Sequence, residues 1–313
     1  MDILYIVPYV PNLIRVRSYN FIRYLSEGGN RVQVMTLWTS DRDYKEVGTL
    51  QDECYRVKAK KLSRVRSLYN CVGAIPSGIP LQAVYSWQPA LAKSIIEEIK
   101  TKSDGRKFDV IHIEHLRGVK YGVYLNEYFA RDTTQIPVIW DSVDSISSLF
   151  RQSSNKSRMV LNRWIARFEL KRTEIYEKWL VGQFDHTIVT SESDRNAFLD
   201  LSLDDNSGNP ISVLPNGVDL RYFSPGEEAN REQATLVISG KMSYHANISM
   251  VFELVDNILP LVWEKRPDTK LWIVGKDPPR DIIALGKHQN IIVTGTVEDI
   301  RPYLQRAQWP LLL

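Results

Sequence analysis

The chain has 313 residues, 43% hydrophobic and 25% charged, with a net charge of +3. These are the proportions of a globular protein of about two domains' length, large enough to bury a core without disulfide or metal staples. Cys54 and Cys71 form neither a metal-ligand spacing nor a disulfide framework, so a reducing, cytoplasmic setting is expected.

The N-terminal run Met1-Asp-Ile-Leu-Tyr-Ile-Val lacks a basic leader region and enters a strand at once, unlike a signal peptide. No apolar run reaches the roughly 18 residues that would span a bilayer. Residues 3–7 read as a continuous apolar strand of the kind parallel sheets bury on both faces. A helix over 19–26, closed by Gly28-Gly29, leads to a strand over 32–37. From there to about residue 80 the sequence is polar and basic and reads as irregular. Pro89–Lys100 is predicted helical, and 108–113 and 137–140 are predicted strands. Leu161, Trp164, Ile165, Phe168, Ile175 and Trp179 recur at helical spacing and predict one amphipathic helix over about 158–181. Short strands follow at 186–190 and 211–214.

Next comes Val213-Leu-Pro-Asn-Gly-Val-Asp219, continuing to Pro225. Pro215 fixes its own φ, and Asn216 and Gly217 tolerate a left-handed backbone, so a sharp turn is expected here. Beyond it the alternation resumes: strand 235–239, helix 250–264, strand 271–274, helix 281–285, strand 291–293 and a helix start at 300–306. Strands alternating with helices predict an α/β protein with doubly wound parallel sheets. The expected division is a first domain over 1–215, a hinge over 216–230 and a smaller second domain over 231–313.

In such sheets ligands bind outside the carboxyl ends of the strands. His112, Glu114 and His115 close the strand at 109–113, and Glu114, His115 and Arg117 are expected to emerge at that edge; His112 reads better as a buried, hydrogen-bonded histidine. A His-x-Glu-His metal site lacks a third ligand cluster. In Trp140-Asp-Ser-Val-Asp144, Asp141 and Asp144 suit general-base work or hydrogen bonds to sugar hydroxyls, or else Asp141, Ser142 or Asp144 caps the helix that follows. Asp41-Arg-Asp43 has a metal-binding look but reads as a solvated loop. In the second part, Gly240-Lys-Met-Ser-Tyr-His-Ala-Asn247 lies between strand and helix, where glycine admits close backbone approach and a helix N-terminus with a nearby Lys attracts phosphate. Val274-Gly-Lys276 and Thr294-Gly-Thr296 close the next two strands.

Charge is unevenly spread. Residues 1–215 carry 29 Lys/Arg against 25 Asp/Glu; the rest carry 11 against 12. Arg56, Lys58, Lys60, Lys61, Arg64 and Arg66 lie in one acid-free run, and 151–178 hold eight basic and three acidic residues. The second cluster sits on the predicted helix over 158–181, which has the make-up of an interfacial helix. The more ordinary reading, apolar side in the core and charged side in solvent, is preferred. No basic-aromatic nucleic-acid module is present.

Together these segments resemble a glycosyltransferase of the two-domain GT-B fold, in the family 4 group, over essentially the whole chain. The resemblance is carried by Ile3-Leu-Tyr-Ile-Val-Pro-Tyr-Val-Pro, Phe108-Asp-Val-Ile-His-Ile-Glu-His-Leu-Arg117, Thr187-Ile-Val-Thr-Ser-Glu-Ser-Asp194, the Asn-Gly-Val-Asp hinge, the 240–247 loop, Ile273-Val-Gly275 and Val293-Thr-Gly-Thr-Val297. It implies two Rossmann-like domains facing a cleft, with transfer of a sugar from a UDP- or GDP-linked donor to a glycan or lipid-linked acceptor. Retention of configuration and independence from a bound metal are also implied. By resemblance, Lys241 helps hold the diphosphate, backbone near Gly275, Lys276 and Val297 lines the nucleotide, and Gly240, Asn247 and Gly295 belong to the same donor-binding set. Glu114, His115, Asp141 and Asp144 are the catalytic-side candidates, with Asn12, Arg15, Arg17 and Arg117 towards the acceptor. Peripheral contact at the inner face of a membrane is a family-level expectation.

The chain departs from the family pattern. The glycine-rich first loop is replaced by Pro11-Asn-Leu-Ile-Arg-Val-Arg17. Val143 stands beside Asp144 where many members have histidine, and Asn247 is the nearest match to a second donor-loop lysine. The family's Glu-x7-Glu element should follow a strand beginning near Ala307; the chain reads Arg306-Ala-Gln-Trp-Pro-Leu-Leu-Leu313 instead, with no recognisable domain ending. The second domain is therefore expected to be incomplete and transfer by these 313 residues alone to be weak. A non-catalytic acceptor-binding remnant and a nucleotide-sugar epimerase of the same fold are the alternatives.

Overall fold

The computed structural model describes residues 1–100, 107–131, 135–156, 160–202, 209–225 and 231–311. It forms two compact units, Met1–Gly217 and Val218–Leu313. Residues 226–230 of the expected hinge lie outside the described residues.

The first unit is built on a seven-stranded, wholly parallel sheet. Its strands are β1 (Asp2–Val7), β2 (Arg31–Trp38), β3 (Arg56–Lys61), β4 (Val110–Glu114), β5 (Val138–Val143), β6 (His186–Val189) and β7 (Ile211–Val213). The spatial order is β3-β2-β1-β4-β5-β6-β7. The order reverses between β1 and β4, so the carboxyl ends of those two strands frame the crevice where such folds place ligands. Leu4, Ile6, Ile111, Ile113, Val138 and Trp140 fill one side of the sheet, and Ile3, Tyr5, Val7, Val32 and Val34 the other. Burial on both faces is why β1 and β4 read as unbroken apolar runs.

The stretch expected to be irregular is regular. It holds α2 (Asp41–Asp52), β3, α3 (Arg64–Ala74), a 3-10 turn and α4 (Leu81–Tyr85). Two serine N-caps start the helices: Ser40 Oγ accepts from Asp43 N, and Ser63 Oγ from Arg66 N. Asp43 also accepts from Thr39 N and Oγ1, so Asp41-Arg-Asp43 is a capped helix start. β3 is basic because it is an edge strand, where charge blocks further pairing. Lys58 and Arg56 reach the buried Glu98 of α5 (Pro89–Lys100). Burial alone would raise that carboxyl; the Gln33 and Lys58 hydrogen bonds outweigh it and hold Glu98 low.

Further helices are α1 (Val16–Glu27), α6 (Val119–Phe129), α7 (Ile146–Lys156), α8 (Val160–Val181) and α9 (Glu192–Ser202). Residues 158–159 of the predicted long helix, and the side chain of Leu161, lie outside what is described. The expected turn at 214–219 is absent: the segment has no assigned secondary structure, and neither Asn216 nor Gly217 takes a positive φ. Asn216 is held instead by Arg17, whose Nη1 donates to Asn216 Oδ1 and to Leu214 O.

The second unit has a four-stranded parallel sheet of β8 (Glu232–Ser239), β9 (Lys270–Val274), β10 (Ile291–Gly295) and β11 (Ala307–Leu311), in the order β10-β9-β8-β11. β11 begins at Ala307, where the family pattern places a strand. It pairs with β8 alone among the described strands, and an edge position tolerates Pro310. Its helices are α10 (His245–Glu253), α11 (Leu259–Lys265), α12 (Arg280–Leu285) and α13 (Arg301–Arg306). A π-turn at Leu254–Ile258 joins α10 to α11. Pro260 explains it, since proline cannot donate to the carbonyl four residues back. The joined helix Ala246–Lys265 has a mean hydropathy of 1.2, so by length and composition it could cross a membrane, against the expectation from sequence. Its Val251, Leu254 and Leu259 pack with Ile238, Leu271 and Ile273 of the sheet.

Candidate functional site

In the first unit, the carboxyl ends of β1, β4 and β5 gather most of the candidates. Glu114 does not emerge at the edge. It is buried, accepting from Tyr5 Oη at 2.6 Å and Tyr9 Oη at 2.5 Å. Tyr5 is paired in register beside β4, and Tyr9 lies in the loop after β1, so the carboxylate ties the two strand ends together. Burial pushes Glu114 up to about 7 despite the two hydroxyl donors, and it holds Tyr5 far above the usual phenol range.

Because its folded value of about 7 exceeds the ordinary 4.5, Glu114 keeps its proton in the folded state while the unfolded chain has released it. The stabilisation is complete below pH 4.5 and is lost as pH rises through about 7, a change of ~3 kcal/mol. Glu177, also raised to about 7 by burial, acts in the same direction. His112 and His115, both lowered to about 4 by burial, act in the opposite direction over much of this range. The test is therefore the difference between variant and parent: in urea unfolding, the stability of Glu114→Gln relative to the parent should rise as pH goes from 4.5 to about 7. A difference that does not change with pH would show that Glu114 does not titrate there.

Asp141, at the end of β5, is 0% exposed and paired with Arg17: Nε donates to Oδ2 at 3.1 Å and Nη2 stands at 2.9 Å. Its other oxygen accepts from Val143 N at 3.0 Å. His112 is buried, stacked on Tyr5 at 4.3 Å, with Nε2 3.7 Å from Asp141 Oδ2 and no hydrogen-bond partner on that nitrogen. Burial lowers it to about 4, so it is neutral. The capping alternative for Asp141, Ser142 and Asp144 gives way to other residues: Glu177 accepts from Ile146 N and Ser147 N at the start of α7, and Asp194 accepts from Ser145 N.

The more accessible groups are His115, Arg117 and Asp144. His115 has φ 64°, and its N donates to Asp141 O at 2.6 Å. Its Nδ1 accepts from Arg117 N; burial first, then the Arg117 charge, lowers it to about 4. Asp144 accepts from Thr190 Oγ1, and burial, followed by Asp194, raises it. Beside Asp144, Val143 has φ 69°, a left-handed conformation costly for a β-branched residue. Two hydrogen bonds hold it: Val143 N donates to Asp141 Oδ1, and Thr190 N donates to Val143 O. Of the expected acceptor-side residues, Asn12 Oδ1 accepts from the backbone of Ile14 and Arg15, forming the turn that replaces a glycine-rich loop. Arg15 covers the Tyr9 ring and Arg117 the Tyr85 ring. The Tyr5–Tyr9–Glu114 and Arg17–Asp141 pairings join residues more than a hundred apart and had no local signal.

In the second unit, the loops after β8, β9 and β10 are laced by backbone bonds: Gly240 N to Val274 O, Met242 N to Lys276 O, and Gly275 N to Gly295 O. Asn247 Nδ2 donates to Lys241 O and folds the loop back on itself. Lys241 is exposed, and α10 begins with no side-chain cap on its N-terminus. Uncapped N–H groups with a neighbouring ammonium suit a phosphate. Val297 turns its side chain into the sheet's second core. No cluster of three or more metal-ligating side chains occurs among the described residues.

Residues 14–222 match the family described as Glycosyltransferase Family 4, and residues 233–311 match Glycosyl transferases group 1. The chain belongs to glycosyltransferase family 4. Its fold is GT-B. It is similar to the N-terminal domain of trehalose-6-phosphate phosphatase from Candida albicans (TM-score 0.57, 13% identity, covering 97% of this chain and 74% of that one). It is also similar to an E. coli trehalose-6-phosphate protein bound with UDP-2-fluoro glucose (TM-score 0.55, 10% identity, 97% and 76%). The apo UGT2 of Phytolacca americana gives a TM-score of 0.55 at 11% identity, over 98% and 75%. Among curated proteins, a subunit of the human phosphatidylinositol N-acetylglucosaminyltransferase is 29% identical over 101 residues, 30% of this chain and 20% of that protein. That match spans a fifth of the relative's length.

Proposed function

We propose that this family 4 protein binds a nucleoside diphosphate-sugar through its second unit and transfers the sugar to a hydroxyl of a glycan or lipid-linked acceptor. The observation that carries the donor part is the set of three laced strand-end loops beside the uncapped start of α10 and Lys241. The nucleotide would lie along Gly240, Gly275, Lys276 and Gly295, with its diphosphate against α10. Developing charge on the leaving diphosphate would be stabilised by the α10 amides and Lys241, dipoles that are already oriented. Retention of configuration and independence from a bound metal are part of this reading. His115 and Asp144 are the groups we assign to hydrogen-bonding the acceptor.

Calorimetric titration with UDP, GDP and their sugar conjugates tests this. One nucleotide should bind, and Lys241→Ala should weaken it about tenfold or more, the loss of one charge-assisted hydrogen bond. Binding of neither nucleotide would refute the donor assignment. Release of an epimerised nucleotide-sugar without acceptor turnover would favour the epimerase reading.

A further inference from the structure

The long helix α8 is turned the opposite way from the ordinary expectation. Its inward positions are Ala166, Glu169, Thr173, Glu177 and Leu180. Its outward positions include Trp164, 71% exposed, Ile175, 64% exposed, and the exposed Ile165, Phe168 and Trp179. A surface helix normally buries its apolar stripe. Here the inward glutamates are committed elsewhere: Glu169 accepts from Leu81 N, Glu177 from Ile146 N and Ser147 N, and Thr173 Oγ1 donates to Glu169 O. Those bonds fix the rotation of the helix and leave its aromatic stripe outside.

α3 continues this surface. Val65, Leu68, Tyr69 and Val72 are all more than half exposed. Arg172 of α8 links the two helices, lying over the Phe168 ring at 4.3 Å and donating to Ile75 O just beyond α3. The charges are of one sign. Arg64 and Arg66 lie on α3, which contains no acid, and Arg167 and Lys171 lie on the outer side of α8. Of the acids of α8, Glu169 and Glu177 are buried and Glu174 is paired with Arg151 at 2.7 Å.

We propose that the outward faces of α3 and α8 form a docking surface for a lipid bilayer with anionic headgroups. Aromatic and aliphatic side chains would enter the headgroup boundary while the flanking cations meet lipid phosphates. An apolar patch of this extent calls for a cover. A second copy of the chain fits poorly, because a two-fold contact would set the same basic surface against itself. This inference does not depend on the sugar-transfer reading, since binding to vesicles is read without turnover.

Co-sedimentation of the full chain with vesicles of phosphatidylcholine, alone or mixed with phosphatidylglycerol, tests it. Binding should require phosphatidylglycerol and weaken as salt is raised. Trp164→Ala/Phe168→Ala and Arg167→Glu/Lys171→Glu should each lower the partition coefficient at least about tenfold, with melting temperatures unchanged because these side chains are exposed. Equal binding to both vesicle types, no binding to either, or variants that bind like the parent would overturn the proposal. So would a concentration-dependent dimer that both variants dissolve.

Discussion

Gly275→Ala is expected to destabilise the second unit by about 3 kcal/mol and to abolish nucleotide binding. Gly275 follows β9 with φ +154°, and a Cβ there would stand 1.8 Å from Gly240 O and 2.9 Å from Gly240 C. Both are backbone atoms, so no rotamer change relieves the clash and the ends of β8 and β9 must part. The bonds at risk are the ones that lace the loops, Gly240 N to Val274 O and Met242 N to Lys276 O. Gly295→Ala is the control for unfolding. Gly295 has φ +70° and nothing within 4 Å of its would-be Cβ, so in stability it should lose only the left-handed preference, about 1 kcal/mol. Urea unfolding followed in the second unit separates the two, and calorimetric titration reads nucleotide binding in Gly275→Ala. Similar losses of stability in both variants would mean that the close approach of Gly240 and Gly275 does not shape the site.

The central strands β1 and β4 were legible because they are buried on both faces, which leaves unbroken apolar runs such as Leu4–Tyr5–Ile6. β3 was hidden for the opposite reason: as an edge strand it is written in lysine and arginine. The serine caps of α2 and α3 were local signals, yet the surrounding charge made the stretch look unstructured. For α8, periodicity predicted the helix but not its rotation. A hydrophobic stripe shows which residues share a face, whereas the direction of that face is set by the bonds of Glu169 and Glu177 to distant backbone. The strand-end rule pointed to the carboxyl ends of β4 and β5, where Glu114 and Asp141 lie side by side in register. What could not be read was which carboxylates stay accessible there, because Tyr5, Tyr9 and Arg17 reach Glu114 and Asp141 across more than a hundred residues.

Arg17→Ala should cost the first unit about 3–5 kcal/mol, the usual cost of removing one partner of a buried ion pair. The Arg17 and Asp141 side chains are 8% and 0% exposed, and without the guanidinium Asp141 keeps only the Val143 N–H as a donor close enough to bond. The same arginine holds Leu214 O and Asn216 Oδ1, so its loss also frees the segment that leads out of the unit. Asp141→Asn should be destabilising as well, because it leaves the Arg17 charge buried without its counter-ion. The double variant should cost well below the sum, since neither charge is then left unpaired, and the double-mutant cycle measures that coupling. Arg17→Lys keeps the charge but not the fork and should fall between parent and Arg17→Ala. If Arg17→Ala lost under about 1 kcal/mol, or the cycle were additive, the pair would be no more than a surface contact. With coupling, Arg17 and Asp141 act as a brace from α1 through β5 to residue 216, and the acceptor contact we propose would fall to His115 and Asp144.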